Sequence, residues 1–127
     1  MRLVLTGLIF AGGLMFLLIG IGFLIDPASS GVDFGMKADG PQGLSTMRAD
    51  MTAFFVVAAV SMVLGAWRRN GDLLLVAAAL FGIALTGRIV SLIADGTYDG
   101  FAFPMLVEAV TVIVLLIASR VLPHRIG

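Results

Sequence analysis

The sequence predicts an all-α integral membrane protein: an antiparallel bundle of four transmembrane helices, with both termini in the cytoplasm. Three observations lead there. Hydrophobic residues make up 60% of the 127 and charged residues 13%, about half the roughly 25% usual in globular domains, and the mean hydropathy is +1.11. Four stretches reach the roughly 20 apolar residues that a helix needs to cross about 30 Å of hydrocarbon. Basic residues fall in alternate connecting segments, which the positive-inside rule assigns to one side. The whole chain, residues 1–127, reads as a single four-span domain.

The first span, about residues 3–25, carries no charge and stops at Asp26-Pro27, where proline restricts the residue before it and polar groups resume. A cleaved leader is the rival reading, with Arg2 as its n-region and Ala28-Ser29-Ser30 as small residues. The apolar run is far longer than the roughly 7–15 residues of an ordinary leader, so the segment is expected to stay as a helix. An outer loop follows over 26–45, rich in Gly, Ser and Asp yet carrying Phe34 and Met36. These two side chains are expected to rest on the membrane surface or to fold over the mouth of the bundle.

The second span, about 48–67, ends at Arg68-Arg69-Asn70-Gly71, with Ser45 or Thr46 available as its N-cap. The third, about 73–94, ends at Asp95-Gly96. The fourth, about 103–122, has Pro104 in its first turn and Pro123 just past its end, both tolerable positions. Arg2, Arg68 and Arg69, and then Arg120, His124 and Arg125 flank the spans on one side. Asp26, Asp33, Lys37, Asp39, Asp95 and Asp99 occupy the other. The basic side is the cytoplasm, so the chain is expected in a bacterial inner membrane with both termini inside. Trp67 and Tyr98 stand where interfacial aromatics belong.

Lipid is as apolar as leucine, so membrane helices associate through small residues and a few polar contacts. Thr6, Gly13 and Gly20 recur every seven residues in the first span. Ala58 and Gly65 do so in the second, beside Ser61, and Ala77, Ala84 and Ser91 in the third, beside Ala78 and Gly82. A seven-residue period keeps one seam facing a partner. Packing within the chain is the plainer account of these stripes, and an oligomer interface the alternative.

A charge inside a span costs about 2.5–3.5 kcal/mol at a helix centre. Arg88 lies seven residues before Asp95, roughly 10 Å below the boundary at 1.5 Å per residue. Glu108 lies four residues after Pro104 on the same side. These two are expected to meet across antiparallel neighbours, where a hydrogen-bonded pair satisfies both. Ala84, Arg88, Ser91 and Asp95 share one helical stripe, and Glu108, Thr111, Leu115 and Ser119 another. With Arg48 and Asp50 at the outer end of the second span, the candidate cluster is Arg48, Asp50, Arg88, Ser91, Asp95 and Glu108, all in the outer half of the bundle. It reads either as an ion-pair network that fixes helix register or as the lining of an outward-facing cavity.

Much is excluded. With no Cys and one His, a zinc, copper or haem site has no ligand set, and neither a metal nor another cofactor is expected. A formal net charge of zero leaves no electrostatic footprint for nucleic acid. No Ser–His–Asp arrangement can be drawn, and no catalytic residue is assigned.

The short motifs, taken in order, resemble the bacterial membrane-protein family named domain of unknown function 4345, which is DoxX-like in layout. They are Gly22-Phe23-Leu24-Ile25-Asp26-Pro27, Arg48-Ala49-Asp50 before Phe54-Phe55, Gly65-Ala66-Trp67-Arg68-Arg69, Gly87-Arg88-Ile89-Val90-Ser91 with Asp95-Gly96, and Pro104 with Glu108. The resemblance spans nearly the whole chain and implies that the Arg-x-Asp, Gly-Arg-x-x-Ser and Pro-x-x-x-Glu elements belong together. It implies no activity. The expected role is therefore non-enzymatic: an accessory subunit, or a protein that binds a lipid or other apolar ligand. Expected partners are membrane lipid and a larger membrane complex or a homo-oligomer. The alternative is an oligomeric small-solute transporter with Glu108 as a proton-coupled carboxylate.

Overall fold

A computed structural model describes residues 2–122; the expected basic tail residues His124 and Arg125 lie outside them. The described residues form helices and no strands. Helix α1 covers Arg2–Ile25, α2 Pro27–Val32, α3 Gly40–Thr46, α4 Thr52–Trp67, α5 Gly71–Asp95 and α6 Ala102–Val121. A π-helical turn, Met47–Met51, joins α3 to α4, so Gly40–Trp67 is one helical rod. That rod, α1, α5 and α6 are the four helices long and apolar enough to cross a membrane.

The segment 26–45, expected as a loop, is largely helical, and local chemistry explains why. Asp26 takes the extended backbone that a following proline demands. Its carboxylate then accepts the Ser29 N–H at 3.2 Å, capping α2 with Pro27 in the first helical turn. Phe34 and Met36 fold over the bundle. The Phe34 ring lies 5.4 Å from Phe23 and 5.7 Å from Phe55, edge to face, and Met36 packs against the buried core. The N-cap expected at Ser45 or Thr46 is corrected: both residues are within the rod, and Thr46 Oγ1 donates to the Gln42 carbonyl instead.

The rod ends at Arg68-Arg69-Asn70, as the sequence indicates. The Asn70 N–H reaches back to the Gly65 carbonyl at 2.8 Å and the Arg69 N–H to Ala66 at 3.3 Å. This paired pattern closes a helix through one left-handed residue. That residue is Arg69, at φ 52°, where a side chain is strained. Arg69→Gly is therefore expected to raise stability by about 1 kcal/mol, read as a higher thermal midpoint by circular dichroism. Asn70 next caps α5 by accepting the Asp72 N–H. At the far end of α5, Gly96 adopts φ 87°, a value that turns the chain toward α6 and suits only glycine.

Helix α1 packs chiefly on α4 and α5 on α6, with α4 against α5 joining the two pairs and a lighter α1–α6 contact closing the set. Phe10 meets Trp67, Gly13 meets Val63, and Gly20 meets Phe55 and Val56, so partners on α4 recede as α1 advances. The small-residue stripe is what admits that approach. A Cβ on Gly13 would stand 2.8 Å from Val63 Cγ2, and one on Gly20 3.1 Å from Phe55 Cβ. In the interior, Phe16, Phe23, Phe55 and Phe81 are buried and stack in series, Phe16 lying 4.7 Å from Phe81 and 6.0 Å from Phe55. The stripe on α5 divides: Ala77 and Ala78 are buried, while Gly82, like Gly87 beyond it, has nothing within 4 Å of a Cβ position. The half of α5 nearer Asp95 is thus loosely covered, and the candidate site lies there.

Candidate functional site

Polar side chains within the spans mostly bond to their own helix. Ser61 donates to Ala58 O, Thr86 to Gly82 O, Thr111 to Val107 O and Ser119 to Leu116 O, so these four hydroxyls are satisfied in an apolar medium. Arg88 and Glu108 instead join two helices. Arg88 Nε donates to Glu108 Oε1 at 2.7 Å, the length of a charge-assisted bond. The Glu108 side chain is 10% exposed and that of Arg88 30%. The carboxylate is therefore held behind the guanidinium, which faces open space.

That space is a cleft of about 210 Å³ beside α5, walled by Ala84, Gly87, Arg88, Ser91, Tyr98 and Met105, among others. Gly87 contributes no side chain to its wall. The Gly96 turn folds Tyr98 and Phe101 back over it, their rings 6.4 Å apart. A second, more open groove of about 560 Å³ runs along α5 and α6 between Leu85, Phe103, Leu106 and Ala109. Leu92, Phe101 and Met105 line both, so the cleft at Arg88, of mixed polar and apolar lining, adjoins an almost wholly apolar groove across these three side chains. The groove is on the outer surface of the helix pair, where Phe103 and Leu106 are exposed.

The sequence-derived cluster is split. Ser91 lies in the cleft wall and donates to Asp95 Oδ2 at 3.4 Å, so the α5 stripe stays beside the ion pair. Arg48 belongs to another contact: its Nε donates to the Leu24 carbonyl at 2.9 Å. It thereby satisfies a carbonyl in the last turn of α1 and complements that helix's negative end. Asp50 is exposed within the π turn, inside the rod and away from any helix N-terminus, so it gains nothing from a helix dipole. The reason is the inserted residue of the π turn. It rotates everything before it by about 100° relative to a regular helix, a shift invisible to a 3.6-residue period. The cleft residues that sequence reasoning missed are Tyr98, Phe101 and Met105. Tyr98 was legible only as an interfacial aromatic, because its position depends on the turn at Gly96.

Among the described residues no group of three His, Cys, Asp or Glu side chains is placed to hold a metal ion. Thr52 Oγ1 is buried without a hydrogen-bond partner, immediately after the π turn.

A profile for a domain of unknown function, DUF4345, matches residues 4–119, which include all four long helices nearly in full and both members of the ion pair. The chain belongs to the DUF4345 family. The motifs singled out in the sequence all fall inside the matched region, so the DUF4345 domain contains the cleft, the groove and the Gly96 turn. No curated protein and no solved structure matches the chain.

Proposed function

We propose that this DUF4345 protein is a non-enzymatic, lipid-binding protein of the bacterial inner membrane. In this reading it is an antiparallel four-span bundle with both termini cytoplasmic, and the Arg88 cleft faces outward. One observation carries the reading: the polar cleft at Arg88 and the apolar groove along α5 and α6 share Leu92, Phe101 and Met105 as a common boundary. A cleft that offers the Arg88 guanidinium beside a hydrocarbon-lined groove matches an amphipathic molecule, polar end and chain together. The orientation rests on the alternation of basic and acidic segments.

Native mass spectrometry of the protein extracted from its own membrane under mild conditions tests this. The expected spectrum shows the chain, alone or as a homo-oligomer, carrying bound lipid. Foreign chains at fixed stoichiometry would make it an accessory subunit instead. Proton-coupled solute flux in liposomes, abolished by Glu108→Gln, would make it a transporter.

A further inference from the structure

Accepting the lipid-binding reading above, we infer that the site selects an amphiphile whose polar end is uncharged and rich in oxygen acceptors, a hydroxyl or ester head on a single apolar chain. The cleft presents donors. Arg88 has five N–H groups and spends one on Glu108; the other four meet no protein acceptor among the described residues and face the cleft. Tyr98 adds a hydroxyl to the same wall, while the Ser91 hydroxyl there donates to Asp95. The cleft does not present positive charge. Glu108 lies 2.7 Å from Arg88 and cancels it, and Asp95, bonded to Ser91, leaves the surroundings negative. An anionic head would meet a guanidinium whose charge the carboxylate behind it already compensates, with the Asp95 carboxylate bonded to Ser91 at the cleft wall. A neutral head accepts the same hydrogen bonds without needing that charge.

The chain of the ligand is placed by the medium. The groove between Leu85, Leu92, Phe103, Leu106 and Ala109 is nearly devoid of polar lining and lies on a surface that a bilayer covers with hydrocarbon, so an acyl chain fills it at no desolvation cost. Gly87 keeps the head chamber open beside Arg88, since nothing stands within 4 Å of where its Cβ would be.

The test uses the delipidated full chain in a neutral detergent and three probes that share one oleoyl chain and one glycerol: monooleoylglycerol, its phosphate (lysophosphatidic acid) and its phosphocholine ester. Titrations are read by native mass spectrometry. Monooleoylglycerol is expected to bind about tenfold more tightly than the phosphate, with the choline ester weaker than monooleoylglycerol. Ala109→Phe, which fills the open groove, is expected to weaken all three. Glu108→Gln, checked for folding by circular dichroism, is expected to reverse the order and bring the phosphate ahead, because Arg88 is then uncompensated. Equal or tighter binding of either charged probe to the native chain overturns the neutral-head assignment and leaves lipid binding standing. Binding indifferent to Ala109→Phe overturns the placement in the groove. Failure of the folded native chain to bind any of the three overturns both this inference and the lipid-binding function. If Glu108→Gln does not fold, the order of the probes on the native chain and the Ala109→Phe result decide.

Discussion

Arg88→Ala is expected to cost about 2–4 kcal/mol of stability, Glu108→Ala a similar amount, and the double variant less than half the sum of the two. The reason is the asymmetry of a shielded ion pair. Removing one member leaves the other charged, in an apolar setting, with no partner. Glu108 is the more vulnerable, because its side chain is 10% exposed and Arg88 stands between it and the open cleft. Removing both replaces two charges by two methyl groups and leaves only a cavity. Thermal unfolding of the four proteins in detergent, followed by circular dichroism, gives the coupling directly. Additive losses in the double variant would show that the pair does not act as a unit. Arg48→Ala makes a useful comparison: it deletes a single bond to an exposed backbone carbonyl and is expected to cost about 1 kcal/mol.

The second large effect concerns two glycines of α5. Gly71→Ala is expected to destabilise by about 3 kcal/mol, whereas Gly82→Ala is expected to stabilise by about 0.5–1 kcal/mol. A Cβ on Gly71 would stand 2.5 Å from the Ser119 carbonyl oxygen, with Ser119 C and Cα at 3.1 Å. Those are backbone atoms of α6, so α5 and α6 must separate at their closest point to admit one methyl group, an overpacking cost at the upper end for a fixed neighbour. Gly82 has nothing within 4 Å, so its methyl group gains helix propensity without a clash. Midpoints from the same melts check both signs. A neutral Gly71→Ala would show that the two helices are not held at this distance.

The reliability of sequence reasoning followed the physics that each feature depends on. Hydrocarbon thickness fixes span length, so all four long helices were legible, and α5 and α6 end within two residues of expectation. The Arg88–Glu108 contact was legible too, since both residues occupy similar depths on consecutive helices and neither has another means of satisfaction. The α1 stripe of Gly13 and Gly20 was equally so, because only small residues permit the observed approach. Failures came where a single residue re-aims the chain. The π turn at Met47–Met51 moved Arg48 to the end of α1. The Asp26 cap turned part of an expected loop into α2. Gly96 carried Tyr98 and Phe101 over the cleft. Each is a local backbone event, and periodicity carries no information about it.

The ion pair also bears on how the chain enters its membrane. Arg88 and Glu108 are separated by 20 positions, so at about 5–20 residues per second the arginine emerges from the ribosome one to a few seconds before its carboxylate. During that interval α5 by itself carries a charge that disfavours lateral release into lipid by about 2.5–3.5 kcal/mol. Once α6 has been made, Glu108 can pair with Arg88 and offset that cost. The last two helices are therefore expected to enter lipid together, after α1 and the Gly40–Trp67 rod.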